Sequence, residues 1–302
     1  MSAALCLLLS VLAAPEAPTK EDLLWAQLRE RLAAVERGLP GVLGAWVKDL
    51  SSGRTLELHP DEVFPTASSI KIAVLYELFR QAEEGHQDLD ALTRPPLPRV
   101  GGGGVLQELG DHVSLSRRDL AVLMMAFSDN EATNLLIDAV GRDAVNRRLS
   151  SLGFSATRLR RKMMDLEAAR RGDENVSTPA ELGRLMETLY RGTGLSPAGA
   201  QELMRIARVG KWGSGPGLPS PFRAGLPDGV PVADKSGELE GVRCVVAVVD
   251  LPGRPYVAAL MTTYLRRDAD GEAAIRELSA AIYDVAERLA RATPYGRRIP
   301  SP

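Results

Sequence analysis

The chain has 302 residues, a formal net charge of −2 and 25% charged residues. That is long enough to bury a sizeable core in one or two domains, and the near-neutral balance argues against a nucleic-acid-binding role. No stretch of eighteen apolar residues occurs, so no membrane-spanning helix is expected.

In chain order, Leu5 to Leu12 is a short apolar run followed by Ala13-Ala14-Pro15. It reads as the hydrophobic region and cleavage zone of a secretory signal over residues 1–17, and hence as a secreted or periplasmic protein. Cys6 would leave with it. Cys244 would remain alone inside a strand as a small core residue, with no intrachain disulfide. Glu21 to Arg37 predicts a helix with Leu24, Leu28, Leu32 and Val35 on one face. Val42 to Lys48 and Thr55 to Leu58 predict a hairpin about Ser51-Ser52-Gly53. From residue 63 to about 204 the pattern is helical. It includes a helix from Ser68 to Glu84 and a pair of helices before and after Ser128-Asp129-Asn130. Three strands follow residue 231, with Asp250 to Pro255 as a turn, and a last helix runs from about Gly271 to Ala290. Strands at both ends and helices between them predict an α/β (α+β sandwich) fold. In it one antiparallel sheet, flanked by helices, is built from residues 18–62 and 205–302, and residues 63–204 form an inserted all-helical domain. Gly101 to Gly104 lacks the Lys-Ser/Thr that a phosphate cradle needs and reads as a flexible loop. His59, His86 and His112 have no metal-ligand spacing, so neither metal nor other cofactor is expected.

Three short words stand in one order: Ser68-Ser69-Ile70-Lys71, Ser128-Asp129-Asn130 and Lys235-Ser236-Gly237. Each alone is weak. A helix-capping serine with a solvated lysine, an interhelical turn and an edge-strand lysine would explain them one by one. Their order and context carry the weight. Residues three apart on a helix share a face, so Lys71 can reach the Ser68 hydroxyl, and a helix N-terminus favours developing negative charge. The set is that of a penicillin-recognising serine enzyme, with its site at the seam of the two domains.

The chain resembles the class A serine β-lactamases and their penicillin-binding relatives over nearly everything after residue 20. The resemblance is carried by Phe64-x-Thr-Ala-Ser68-x-x-Lys71, by Ser128-Asp129-Asn130 with Asn134-Leu135-Leu136, and by Asp234-Lys235-Ser236-Gly237 leading into Gly241-Val242-Arg243. It implies a β-lactamase/transpeptidase-like fold and an acyl-enzyme on Ser68. Lys71 would be the base, its pKa lowered by burial and by Lys235 as a second cation. Ser128 would pass the proton to the lactam nitrogen, and Asn130 would orient Lys71 and the substrate amide. Lys235, Ser236 and Arg243 would hold the substrate carboxylate, beside Gly237. The backbone N–H groups of Ser68 and Glu238 would form the oxyanion hole. The partner implied is a small β-lactam, and a monomer is expected. One departure stands out. The family's deacylating glutamate, four residues before an asparagine, falls at Met163 by count from Asp173-Glu174. Asp165 and Glu167 are the nearby carboxylates that would substitute, or else remain solvated loop charges. An Arg161 contact with Asp173 or Glu174 would close the loop. The altered loop keeps two alternatives open beside a β-lactamase: a D-Ala-D-Ala peptidase or other serine hydrolase, and a penicillin binder that acylates without fast turnover.

Overall fold

The computed structural model describes residues 17–209, 219–293 and 295–299; the apolar N-terminal run and Cys6 lie outside them. Helix α1 (Lys20–Gly38) starts at a capping box, in which the Thr19 hydroxyl accepts from Asp22 N and the Asp22 carboxylate accepts from Thr19 N. This satisfies amides that a helix start leaves unpaired. It is followed by β1 (Val42–Asp49) and β2 (Thr55–Leu58), and then by the short strand β3 (Phe64–Pro65). Next come a 3-10 turn, Ala67–Ile70, and α2 (Lys71–Glu83). The helix expected from Ser68 therefore begins properly at Lys71, with Ser68 in the tighter turn that leads into it.

The middle of the chain holds β4 (Leu92–Thr93), β5 (Leu115–Ser116), α3 (Arg117–Ala126), α4 (Asn130–Val140), α5 (Arg142–Ser151), α6 (Leu166–Arg170), β6 (Val176–Ser177), α7 (Pro179–Tyr190) and α8 (Pro197–Arg208). The chain returns through β7 (Val232–Leu239), β8 (Val242–Val249), β9 (Tyr256–Thr263) and α9 (Asp268–Ala290). The main sheet is antiparallel, in the order β2-β1-β9-β8-β7. Strands from both chain ends thus share one sheet, as expected.

Apolar side chains cover both faces. Trp25, Leu28 and Leu32 of α1 and Ile275, Leu278 and Ile282 of α9 pack with Leu43, Val245 and Leu260 on one face. On the other, Trp46, Val246 and Met261 join a core that continues through α2, α3, α4, α7 and α8. Every residue of β8 is buried, which is why it reads as an apolar run interrupted only by Arg243. Burying each such side chain contributes about 1.5–3 kcal/mol. Strand β7 is the edge, and the helical half of the chain closes against it.

Candidate active site

The turn that carries Ser68 is held from three sides. Thr66 N donates to Asn175 O at 2.8 Å, and the Thr66 hydroxyl donates to the same carbonyl at 2.9 Å. Thr66 O in turn accepts the Ser69 hydroxyl at 2.7 Å. The buried Cys244 thiol, pushed up to about 12 by burial, lies 3.1 Å from Pro65 O. Gly237 of β7 passes so close that a Cβ there would sit 2.3 Å from Thr66 O and 2.9 Å from Ser69 N. Only glycine fits such an approach, and it brings the β7 backbone beside the Ser68 turn. Ser68 itself stays half-buried between buried neighbours.

Lys71 is fully buried. Its Nζ reaches Ser128 O at 2.6 Å, the Ser128 hydroxyl at 3.0 Å and Asn130 Oδ1 at 3.0 Å. Ser128 adopts φ +54°, a left-handed conformation that costs a non-glycine residue energy and concentrates at functional sites. Here it turns both the carbonyl and the hydroxyl of Ser128 toward the Lys71 Nζ. Asp129 serves the scaffold. Its carboxylate caps α4 at Ala132 N (2.9 Å) and accepts Val105 N (2.7 Å) and Leu106 N (2.8 Å). Asn130 Nδ2 donates to Gly101 O, and Asn130 N to Gly103 O. Gly104 has φ +99°, and a Cβ on it would meet Asp129 Oδ2 at 2.2 Å. The glycine run expected as a flexible loop is therefore tied to the Ser-Asp-Asn segment and forms a wall of the site.

Lys235 is 1% exposed and donates to Ser236 O at 2.7 Å. Burial pushes its pKa down to about 8, against the opposing pull of Asp234 and Glu238. Asp234 is anchored by the Ser220 hydroxyl at 2.8 Å and by Arg223 Nε at 2.7 Å.

These pieces open on one cavity of about 660 Å3. Ser68, Ser128, Asn130 and Ser236 line its polar side, and Phe127, Met163, Met164 and Leu239 its apolar side. Glu174 and Glu238 are the carboxylates among the described lining residues. Glu174 pairs with Arg161 at 2.8 Å, the loop closure expected for Arg161. Asn175, whose role the residue pattern did not announce, fastens that loop. Its Oδ1 accepts Arg160 N and Arg161 N, and its Nδ2 donates to Arg161 O.

Of the expected site residues, Lys71, Lys235, Gly237, Asp165, Glu167 and Arg243 are not among those that line the cavity. Asp165 and Glu167 are exposed at the start of α6 and do not line the cavity. Asp165 instead caps that helix, accepting from Ala168 N at 3.0 Å, as a short polar side chain at an N-cap does. What faces the cavity is Met163. Asn134 clasps its backbone, Nδ2 to Met163 O at 3.1 Å and Met163 N to Oδ1 at 2.8 Å. Arg243 also does not line the cavity. Its guanidinium binds Glu272 at 3.0 Å, Asp268 at 3.0 Å and the carbonyls of Leu239 and Val242 at 2.9 Å, because the N-terminal turns of α9 bring two carboxylates alongside β8.

Comparison with known proteins agrees with this geometry. The model of the Beta-lactamase enzyme family matches residues 27–286. A β-lactamase of Streptomyces fradiae is 32% identical over 261 residues, 82% of either chain. Among solved structures, an ancestral class A β-lactamase is 31% identical with a TM-score of 0.78, covering 85% of this chain and 99% of its own. The structure of PBP-A is 29% identical with a TM-score of 0.76, covering 85% and 95%. The chain belongs to the β-lactamase enzyme family, with the class A fold.

Proposed function

We propose that the protein is a serine β-lactamase that opens the lactam ring through an acyl-enzyme on Ser68. The observation that carries this reading is the buried Lys71 Nζ, within 3.0 Å of both the Ser128 hydroxyl and Asn130 Oδ1, two groups on residues that line the cavity. A neutral amine has two N–H groups and one lone pair. The two N–H groups satisfy Ser128 O and Asn130 Oδ1, which leaves the lone pair for a hydroxyl proton. Ser68 Oγ attacks the lactam carbonyl carbon as its proton passes to Lys71. The developing oxyanion accepts from the backbone N–H groups of Ser68 and Glu238, a role supported by the close approach of Gly237 to the Ser68 turn. The proton returns through the Ser128 hydroxyl to the lactam nitrogen as the C–N bond breaks. Water then attacks the ester carbonyl and releases the ring-opened acid and free Ser68. Lys235 and Ser236 hold the substrate carboxylate, and Arg243 has no part in this scheme. Neither Asp165 nor Glu167 is given the deacylation step.

Met163 in the cavity supports slow deacylation, because a thioether cannot activate water. That favours a β-lactamase whose acyl-enzyme accumulates, and it keeps the peptidase-like alternative in view. A neighbouring structure is that of a PBP-A variant as its acyl-enzyme complex with penicillin G. The same reading takes residues 18–62 and 205–302 as the α/β domain, residues 63–204 as the helical one, and the product as a secreted or periplasmic monomer released from a signal at residues 1–17. Steady-state hydrolysis of a chromogenic cephalosporin, run beside active-site titration, tests the function. Slow turnover at one covalent adduct per chain is expected, and hydrolysis retained by Ser68→Ala refutes it.

A further inference from the structure

Strand β7 puts Ser236 and Glu238 on one face, two residues apart. Both line the cavity, and Glu238 is half-buried. Its direct cross-strand partner is Arg243. Opposite charges so placed normally pair, yet Arg243 is committed to Asp268 and Glu272. Among the described residues no hydrogen bond or ion pair engages the Glu238 carboxylate. The other cavity carboxylate, Glu174, is neutralised by Arg161. The buried Lys235 ammonium donates to Ser236 O and acts on Glu238 only through space, with no ion pair between them. The cavity surface beside Ser236 therefore carries a carboxylate with no hydrogen bond or ion pair among the described residues, where the family resemblance implies Arg243 and a positive charge.

We propose that Glu238 is a specificity-determining residue that favours acyl donors with a cationic group beside Ser236 and disfavours purely anionic ones. This rests on the acyl-transfer reading above. A cationic substituent on the ring-carboxylate side of a β-lactam would lie against the Glu238 carboxylate in a half-desolvated wall, where an ion pair is stronger than in water. A ring carboxylate with no cation near it would meet Lys235 from one side and Glu238 from the other.

The test uses two cephalosporins with the same acyl side chain, cephaloridine and cephalothin, which differ at the 3′ position by a pyridinium and an acetoxy group. Second-order acylation rates are measured by stopped flow or by competition with a fluorescent penicillin. The wild type is expected to prefer the pyridinium compound by about threefold to fivefold beyond the ratio of their intrinsic hydroxide reactivities, as suits a partly exposed ion pair. That excess should shrink in 0.5 M salt, disappear in Glu238→Gln and invert in Glu238→Lys. Circular dichroism and thermal unfolding of each variant confirm that it folds. If both compounds acylate Ser68 but Glu238→Gln leaves the corrected ratio within twofold of wild type, the role of Glu238 is overturned while the acyl-transfer reading stands. If neither compound acylates the wild type, that reading fails and the Glu238 assignment with it.

Discussion

Replacing Met163 with glutamate should convert a slowly deacylating enzyme into a faster one. Asn134 holds the Met163 backbone on both its N–H and its carbonyl, so the new side chain starts from a fixed point and opens into the same cavity as Ser68. A positioned general base contributes roughly 100- to 10,000-fold, and the acyl-enzyme lifetime should shorten within that range. The change has a stability cost. Met163 is 8% exposed and packs in the larger apolar core, and losing that burial removes about 2 kcal/mol. In a chain of 302 residues that lowers Tm by roughly 3 °C. Met163→Gln is the control. It carries a similar stability cost without a base, so its Tm should fall with that of the glutamate variant while its adduct persists. Adduct lifetime after benzylpenicillin is read by intact mass, and Tm by calorimetry. An adduct in a folded Met163→Glu variant that lasts as long as in wild type, within twofold, would refute the reasoning that this position decides deacylation.

Other outcomes follow from the same geometry. Ser68→Ala should abolish covalent labelling by a fluorescent penicillin, and Lys71→Met should slow labelling at least 100-fold with little change in Tm. Gly237→Val should slow acylation at least tenfold, because a Cβ 2.3 Å from Thr66 O forces β7 away from the Ser68 turn; an unchanged rate would show that the close approach is not needed. Lys235 has a folded pKa near 8, below its ordinary value of 10.5. Above pH 8 the site loses a cation, so acylation by an anionic β-lactam should fall, and Lys235→Arg, which stays charged, should remove that limb. Between about pH 8 and 10.5 the unfolded chain binds the proton that the native state has released. The Lys235 contribution to stability therefore rises with pH in this window, measurable by urea unfolding of wild type against Lys235→Met.

Local rules carried far in this chain. The apolar face of Leu24, Leu28, Leu32 and Val35, the largely apolar β8 and the turn at residues 250–255 made the strand-helix-strand layout legible, since residue periodicity and turn composition are short-range signals. The three motif words marked Ser68, Lys71, Ser128, Asn130 and Lys235 for the same reason: each is a local pattern, and Ser68, Ser128 and Asn130 line one cavity, with Lys71 hydrogen-bonded to the latter two. What could not be read is long-range. Arg243 stands where a carboxylate clamp is expected, but the start of α9, 25–29 residues on, supplies the two carboxylates that take it. Asp165 and Glu167 have suitable chemistry, yet the first turn of α6 uses the former as a cap and leaves the latter in solvent. The glycines at 101–104 look like slack until Asp129 and Asn130 are seen to hold them. Asn175 had no signal beyond being an asparagine at the end of a charged loop.

The most direct test of the central claim is the intact mass of the protein after a small excess of benzylpenicillin, followed over time, with the modified peptide mapped. The account predicts one penicilloyl group per chain, on Ser68, that builds up quickly and is lost slowly as ring-opened product appears. Intact substrate with no adduct, or an adduct on any residue other than Ser68, would contradict it.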